Sequence, residues 1–164
     1  MADWMVREAT ESDIPVIRAL AHRIWPVAYR EMISLEQLDY MLEWMYSLQA
    51  LTQQMREDGC VFFILSDGNL EHGFASVSTK DHTAKLNKLY VLVEHHGKGA
   101  GSALLNAAIE YARSKGCSEI ELQVNKKNPA QHFYHRHDFS IREEAVFDIG
   151  QGFVMDDYIM RRPL

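Results

Sequence analysis

The stretch Leu89-Tyr90-Val91-Leu92-Val93-Glu94-His95-His96-Gly97-Lys98-Gly99-Ala100-Gly101-Ser102-Ala103-Leu104-Leu105 decides how the rest of the chain is read. Its β-branched and aromatic start reads as a strand, its glycine-dense middle as a turn, and the amphipathic pattern that continues to about Ser114 as a helix. The turn is thus a helix N-terminus. Such an end carries backbone N–H groups without intrahelical partners and the positive pole of the helix dipole, so it holds an anion with few side chains. The alternating glycines leave bare backbone against which a phosphate can sit. A phosphate-bearing cofactor or substrate is the ligand class implied, against the plainer reading that the glycines only shape a tight turn.

Spacing narrows the choice. A dinucleotide fingerprint needs G-x-G-x-x-G, but Ser102 stands where its third glycine belongs, and no G-x-x-x-x-G-K-[ST] occurs anywhere in the chain. Both signatures also usually open their domains, whereas this turn lies past the middle of the 164 residues. That length suits a single domain, 1–164, able to bury its own core. Hydrophobic residues at 47% and charged residues at 24% are ordinary globular composition, and a net charge of −6 disfavours nucleic acid or an anionic membrane as partner. A neutral or cationic small substrate fits better. Cys60 and Cys117 have no metal-ligand spacing and suggest a reducing compartment. No apolar run approaches the roughly 20 residues of a membrane span, and Met1-Ala2-Asp3-Trp4 opens no signal peptide, so the expected location is the cytoplasm.

Outward from the turn, the pattern is that of a mixed sheet. Trp4 to Glu8 reads as a first strand, and Thr10 caps a helix whose stripe is Ile14, Ile17, Leu20, Ala21, Ile24 and Trp25. A second start at Ser34-Leu35-Glu36-Gln37 has the capping-box arrangement and continues through Leu38, Met41, Leu42, Met45 and Leu48. Trp25 and Tyr29, between the two starts, are either core or the lining of an acceptor pocket. Strands follow over Val61 to Leu65, Leu70 to Ser78 across an Asp67-Gly68-Asn69 turn, and Lys85 to Val93. After the glycine turn and its helix, Gly116 is a C-cap and Glu119 to Val124 a strand, which a crossover must place parallel to the strand at Leu89. Pro129 suits a first helical turn, Ala130 to Arg136 is a short helix, and Phe139 to Phe147 with Phe153 to Met160 form a closing hairpin.

A second constellation, Asn125-Lys126-Lys127-Asn128-Pro129-Ala130-Gln131-His132-Phe133-Tyr134 followed by Phe139, gives the turn its context. With His96-Gly97-Lys98-Gly99-Ala100-Gly101 it resembles the GCN5-related N-acetyltransferase (GNAT) family, whose pyrophosphate loop is [Q/R]-x-x-G-x-[G/A] and whose later segment is N-x-x-A-x-x-F-Y-x-x-x-G-F. Gly99, Gly101, Ala130, Phe133, Tyr134 and Phe139 match. His96 replaces Gln or Arg, Asn128 stands one position late, and Asp138 replaces a glycine. Peripheral segments such as Ala9-Thr10-Glu11-Ser12-Asp13 and Met155-Asp156-Asp157-Tyr158-Ile159-Met160 are similar to a bacterial subgroup that includes polyamine acetyltransferases.

The resemblance implies an α/β (α+β) GNAT fold: a mostly antiparallel sheet of about seven strands with a splayed parallel pair at its centre and about four flanking helices. It implies an acetyl-CoA-dependent N-acetyltransferase acting on a small primary amine by direct transfer. The coenzyme A contacts carried over are Leu89, Tyr90 and Val91 on the splayed strand, Gly97, Lys98, Gly99, Ala100, Gly101 and Ser102 at the pyrophosphate, and Asn125, Asn128, Ala130 and Phe133 around the pantetheine arm. The Val91 N–H would face the acyl oxygen, and Tyr134 would be the catalytic acid for the leaving thiolate. No proton acceptor stands out among Glu121, Asp81 and Glu31, and water serves equally well. No metal is expected, since His132, His135 and His137 lack ligand partners at known spacing. Lys126-Lys127 could meet a ribose phosphate, Asp156-Asp157 either attracts a cation or keeps an edge strand soluble, and the terminal hairpin could build a homodimer. A non-catalytic acyl-CoA sensor, a protein N-terminal or lysine acetyltransferase, and a flavodoxin-like phosphate-binding domain are the competing readings.

Overall fold

The computed structural model describes residues 3–164; Met1 and Ala2 of the opening segment lie outside the described residues. Seven strands form one sheet in the order β1-β2-β3-β4-β5-β7-β6. They are β1 (Met5–Glu8), β2 (Val61–Ser66), β3 (Glu71–Lys80), β4 (Thr83–Val91), β5 (Glu119–Asn125), β6 (Ser140–Gly150) and β7 (Phe153–Pro163). Only β4 and β5 run parallel; every other pairing is antiparallel. Five α-helices cover the faces: α1 (Ile14–Ala28), α2 (Leu35–Tyr46), α3 (Leu48–Arg56), α4 (Ala100–Ser114) and α5 (Ala130–Arg136).

The amphipathic stripes decide which helix goes where. The α1 stripe, Ile14, Ile17, Leu20, Ala21, Ile24 and Trp25, is buried with Leu38, Met41, Leu42 and Tyr46 of α2 against Phe62, Ile64 and Phe74 of the sheet. On the opposite face, Leu105, Ala108, Ile109 and Ala112 of α4 pack on Val77, Leu86, Ile120 and Leu122. The central strands of the sheet are thus buried on both sides. Pro26 sits inside α1 without ending it.

Three expectations need correction. The pattern from Ser34 to Leu48 is not one helix: Ser47 leaves helical geometry at φ −63°, ψ 156°, and its hydroxyl accepts from the Ala50 N–H at 3.1 Å. A serine that caps competes with helix continuation, which makes α3 a fifth helix rather than a tail of α2. Pro129 stands just before α5 as its cap residue, not within its first turn. Asp156 and Asp157 do not lie on an edge strand, because β7 is enclosed between β5 and β6. Asp138 holds φ 69°, the left-handed turn that the family's glycine would make.

The feature that positions the site is a fork. β4 pairs with β5 only from Thr83–Glu119 to Leu86–Leu122. Immediately beyond, β3 matches Val77 to Leu86 but Ser76 to Lys88, so Asn87 is an extra, bulged residue on β4. A bulge bends its strand and sharpens its twist. β4 thereafter follows β3 to Val91, while β5 follows β7 to Asn125.

Candidate active site

Between the diverging ends of β4 and β5 lies a cleft of about 1110 Å³, closed below by α1 and α2 and above by the glycine turn and α5. Its upper rim presents a helix N-terminus with free backbone N–H groups. Gly97 and Gly99 take φ of 76° and 82°, a region that costs other residues about 1–2 kcal/mol. The first intrahelical bond of α4 runs from the Ala103 N–H to the Gly99 oxygen, so the N–H groups of Ala100, Gly101 and Ser102 have no intrahelical acceptor. Gly101 has a different task. A Cβ there would stand 3.2 Å from the Phe133 ring, so its absence lets α5 close against the head of α4.

Side chains from three directions hold the turn in place. The His96 Nε2–H donates to the Val91 oxygen at 2.9 Å. The Trp4 Nε1–H donates to the Lys98 oxygen at 2.8 Å, a brace that nothing in the sequence pattern announced. Ser102 Oγ lies 2.9 Å from His137 Nε2, whose Nδ1–H donates to the Phe133 oxygen at 2.9 Å. A carbonyl can only accept, so in the neutral ring Nε2 is the acceptor for the serine hydroxyl. His137 is thereby a link between α4 and α5. Among the described residues no group of three or more His, Cys, Asp or Glu is arranged to hold a metal.

The fork exposes main chain. The Leu92 N–H donates to the His72 oxygen at 2.9 Å, which marks Gly73–Val91 as a non-hydrogen-bonded pair of the β3–β4 ladder. Alternation makes Ala75–Leu89 another. Leu89 and Val91 therefore turn their N–H groups away from β3, toward the side that β5 has left. Tyr90 faces the helices instead, its hydroxyl 2.8 Å from that of Tyr29.

The far bank carries the second motif. Asn128 Oδ1 accepts from the Ala130 N–H at 2.9 Å and Asn125 Oδ1 from the Lys127 N–H at 2.8 Å, so both asparagines shape the loop into α5. Asn125, Asn128, Ala130, Phe133 and Tyr134 all line the cleft. Tyr134 is 8% exposed, and its hydroxyl has no hydrogen-bond partner among the described residues. Burial, with the Tyr29 hydroxyl nearby, holds its pKa well above that of free tyrosine. It stays a proton donor throughout the neutral range.

Residues 21–139, most of this chain, match the acetyltransferase (GNAT) family. The chain belongs to that family. An uncharacterised N-acetyltransferase of Mycobacterium tuberculosis (strain ATCC 25618 / H37Rv) is 27% identical over 155 residues, 93% of this chain and 99% of that one. Another from Bacillus subtilis (strain 168) is 28% identical over 151 residues, covering 88% and 84%. The crystal structure of the PaiA N-acetyltransferase from Thermoplasma acidophilum, in complex with coenzyme A, has the same fold at TM-score 0.84, with 22% identity and 99% coverage of both chains. This GNAT protein is accordingly an N-acetyltransferase whose co-substrate is acetyl-CoA, and the orphan amides of the turn and of β4 suit a pyrophosphate and an amide-bearing arm.

The carboxylates fall out differently from the sequence candidates. Glu121 is ion-paired with Arg161 at 2.9 Å, Asp81 sits in the β3–β4 turn and Glu31 is exposed; none of the three lines this GNAT cleft. Asp157 does, 2% exposed and without a hydrogen-bond partner for its side chain among the described residues. Burial first, and the neighbouring Asp156 second, push its pKa up to about 6. Lys126 is tied to Asp156 at 3.0 Å and Glu144 at 3.4 Å, so its charge is already answered and it is no phosphate ligand in waiting. Trp25 and Tyr29 resolve the alternative left open between core and pocket: both are packed in the core and both line the cleft.

Proposed function

We propose that this enzyme moves the acetyl group of acetyl-CoA directly to the primary amine of a small molecule. The observation that carries the proposal is the fork, which places the unpaired N–H groups of Leu89 and Val91 and the hydroxyl of Tyr134 on one cleft beneath an anion-binding helix end. The amides of Gly97, Lys98, Gly99, Ala100, Gly101 and Ser102 would receive the pyrophosphate, while Leu89, Tyr90, Val91, Asn125, Asn128, Ala130 and Phe133 would flank the arm. Bound acetyl-CoA supplies an activated acyl carbon on a thiol leaving group. The Val91 N–H would meet the oxygen that gains charge as the amine attacks, and the Tyr134 O–H would protonate the departing thiolate. Neither Cys60 nor Cys117 lines the cleft, which supports direct transfer over a covalent acyl-enzyme. Both are free thiols, a state that fits the cytoplasm.

A thiol-release assay with acetyl-CoA and a panel of amines tests this. Turnover should require an amine, and Tyr134→Phe should lower kcat at least tenfold while leaving thermal protection by coenzyme A in place. Amine-dependent turnover that survives the substitution would return Tyr134 to a packing role.

A further inference from the structure

Two buried charged side chains in the cleft wall have no opposite charge paired with them among the described residues. Lys88 on β4 is 9% exposed and Asp157 on β7 is 2% exposed, and both line the cleft. They face the same way. Lys88 alternates with Tyr90 on β4, and Asp157 with Met155 on β7, and Tyr90 and Met155 pack in the α1–α3 layer. The two charges therefore stand on opposite banks of the fork, both on the side of the sheet where α1 and α2 close the cleft.

Neither is accounted for by the fold. Among the described residues the Lys88 ammonium makes no ion pair and no hydrogen bond; it rests 4.9 Å from the centre of the Tyr46 ring. The ionisable groups acting on it are Cys60, whose thiol burial keeps neutral, and Lys85, of like sign. Burying a cation or a carboxylate without its counterion is costly, so such groups are kept where a ligand completes the pair. Coenzyme A is not that ligand for Lys88, since its phosphates belong at the head of α4, beyond Val91, and Lys88 lies three residues back, about 10 Å along the strand.

We propose that the acceptor is an amino-acid-like molecule, a primary amine that also bears a carboxylate or comparable anion, with the anion held by Lys88 and the amine received at Asp157. The inference rests on the transferase reading of the same cleft. A polyamine fits it poorly, because Lys88 and Lys85 line the wall its second cation would meet, and the other carboxylate of the lining, Asp148, is exposed and already accepts from the Gly150 N–H. Both wall charges are present at neutral pH, since burial lowers Lys88 only to about 8 and raises Asp157 only to about 6. Asp157 then has a second role. Two protons leave the nitrogen as the C–N bond forms and the C–S bond breaks; one passes through Asp157 to solvent, and the other ends on the sulfur by way of Tyr134.

The test compares glycine, β-alanine and γ-aminobutyrate with ethylamine, propylamine, butylamine and putrescine as acceptors, for the wild type, Lys88→Met and Lys88→Arg, with melting temperatures to confirm folding. At least one acid should exceed its matched alkylamine tenfold or more in kcat/KM. Lys88→Met should collapse that ratio through KM, and Lys88→Arg should restore part of it. Faster acetylation of putrescine or the alkylamines, or an acid preference that Lys88→Met leaves intact, would overturn the proposal while leaving the transferase standing. A loss confined to kcat would make Lys88 a proton acceptor instead and equally overturn it. If no amine on the panel is acetylated, thermal protection by the acids decides: protection that Lys88→Met abolishes supports the proposal, and its absence overturns it. Failure of acetyl-CoA itself to protect the protein would remove the transferase reading underneath.

Discussion

Burial by the sheet shifts how readily single side chains at this site keep or give up a proton. Asp157 is the clearest case. Its raised pKa means that the folded state binds a proton more tightly than the unfolded chain, so this group's contribution to stability is present below the ordinary carboxylate value and is lost as the pH rises through about 6. Asp157→Asn removes a buried charge without changing shape. The variant should melt a few degrees above wild type at pH 7, and the gain should fade as the pH is lowered toward 4. Its activity should fall at least tenfold, and an acid limb of kcat/KM expected near pH 6 in the wild type should be absent from the variant. Calorimetric scans across that range, run beside a pH–rate profile, check both signs. A carboxylate retained at a cost to stability is a frequent mark of a functional position.

Elements meet here at close range, and the head of α4 is where that matters most. Gly101→Ala places a methyl group 3.2 Å from Cε1 and Cζ of Phe133. Phe133 also packs its ring 4.4 Å from that of His137, which links α5 to Ser102. The Phe133 ring has to give by a few tenths of an ångström, and strain of that kind in a packed interior costs about 1–3 kcal/mol. Coenzyme A affinity measured by titration calorimetry should drop at least fivefold, with only a modest loss of melting temperature.

At this scale the sequence was a good guide where local chemistry decides. The bounds of α5, the Asp67-Gly68-Asn69 turn, the parallel partnership of β4 and β5 and the closing hairpin all follow from turn residues and periodicity. It failed where a neighbour decides. Alternation along β7 leaves Asp157 open between attracting a cation and keeping an edge strand soluble, because it does not reveal that β5 and β6 lie on either side of it. Nothing in the strand pattern singles out Lys88, because its burial depends on helices some 40 residues earlier in the chain. The bulge at Asn87 left no mark at all, since an extra residue in a strand is visible only against its partner.

Across the whole molecule, one irregularity organises the chemistry. Two helical layers clamp a sheet whose central parallel pair separates after four matched residue pairs, and that separation creates both the cleft and the free main-chain groups along it. The glycine turn caps one end, α5 roofs the far bank, and α1 and α2 supply the floor on which an acceptor would rest. The account stands or falls on whether the backbone of β4 takes up acetyl-CoA. Amide-resolved hydrogen exchange, with and without acetyl-CoA and in the absence of an acceptor, measures that directly. The Leu89 and Val91 amides, together with those of Gly101 and Ser102, should slow at least tenfold on binding, whereas Lys88 and Tyr90, already bonded to β3, should change little. Acetyl-CoA that binds without slowing Leu89 and Val91 would contradict the account.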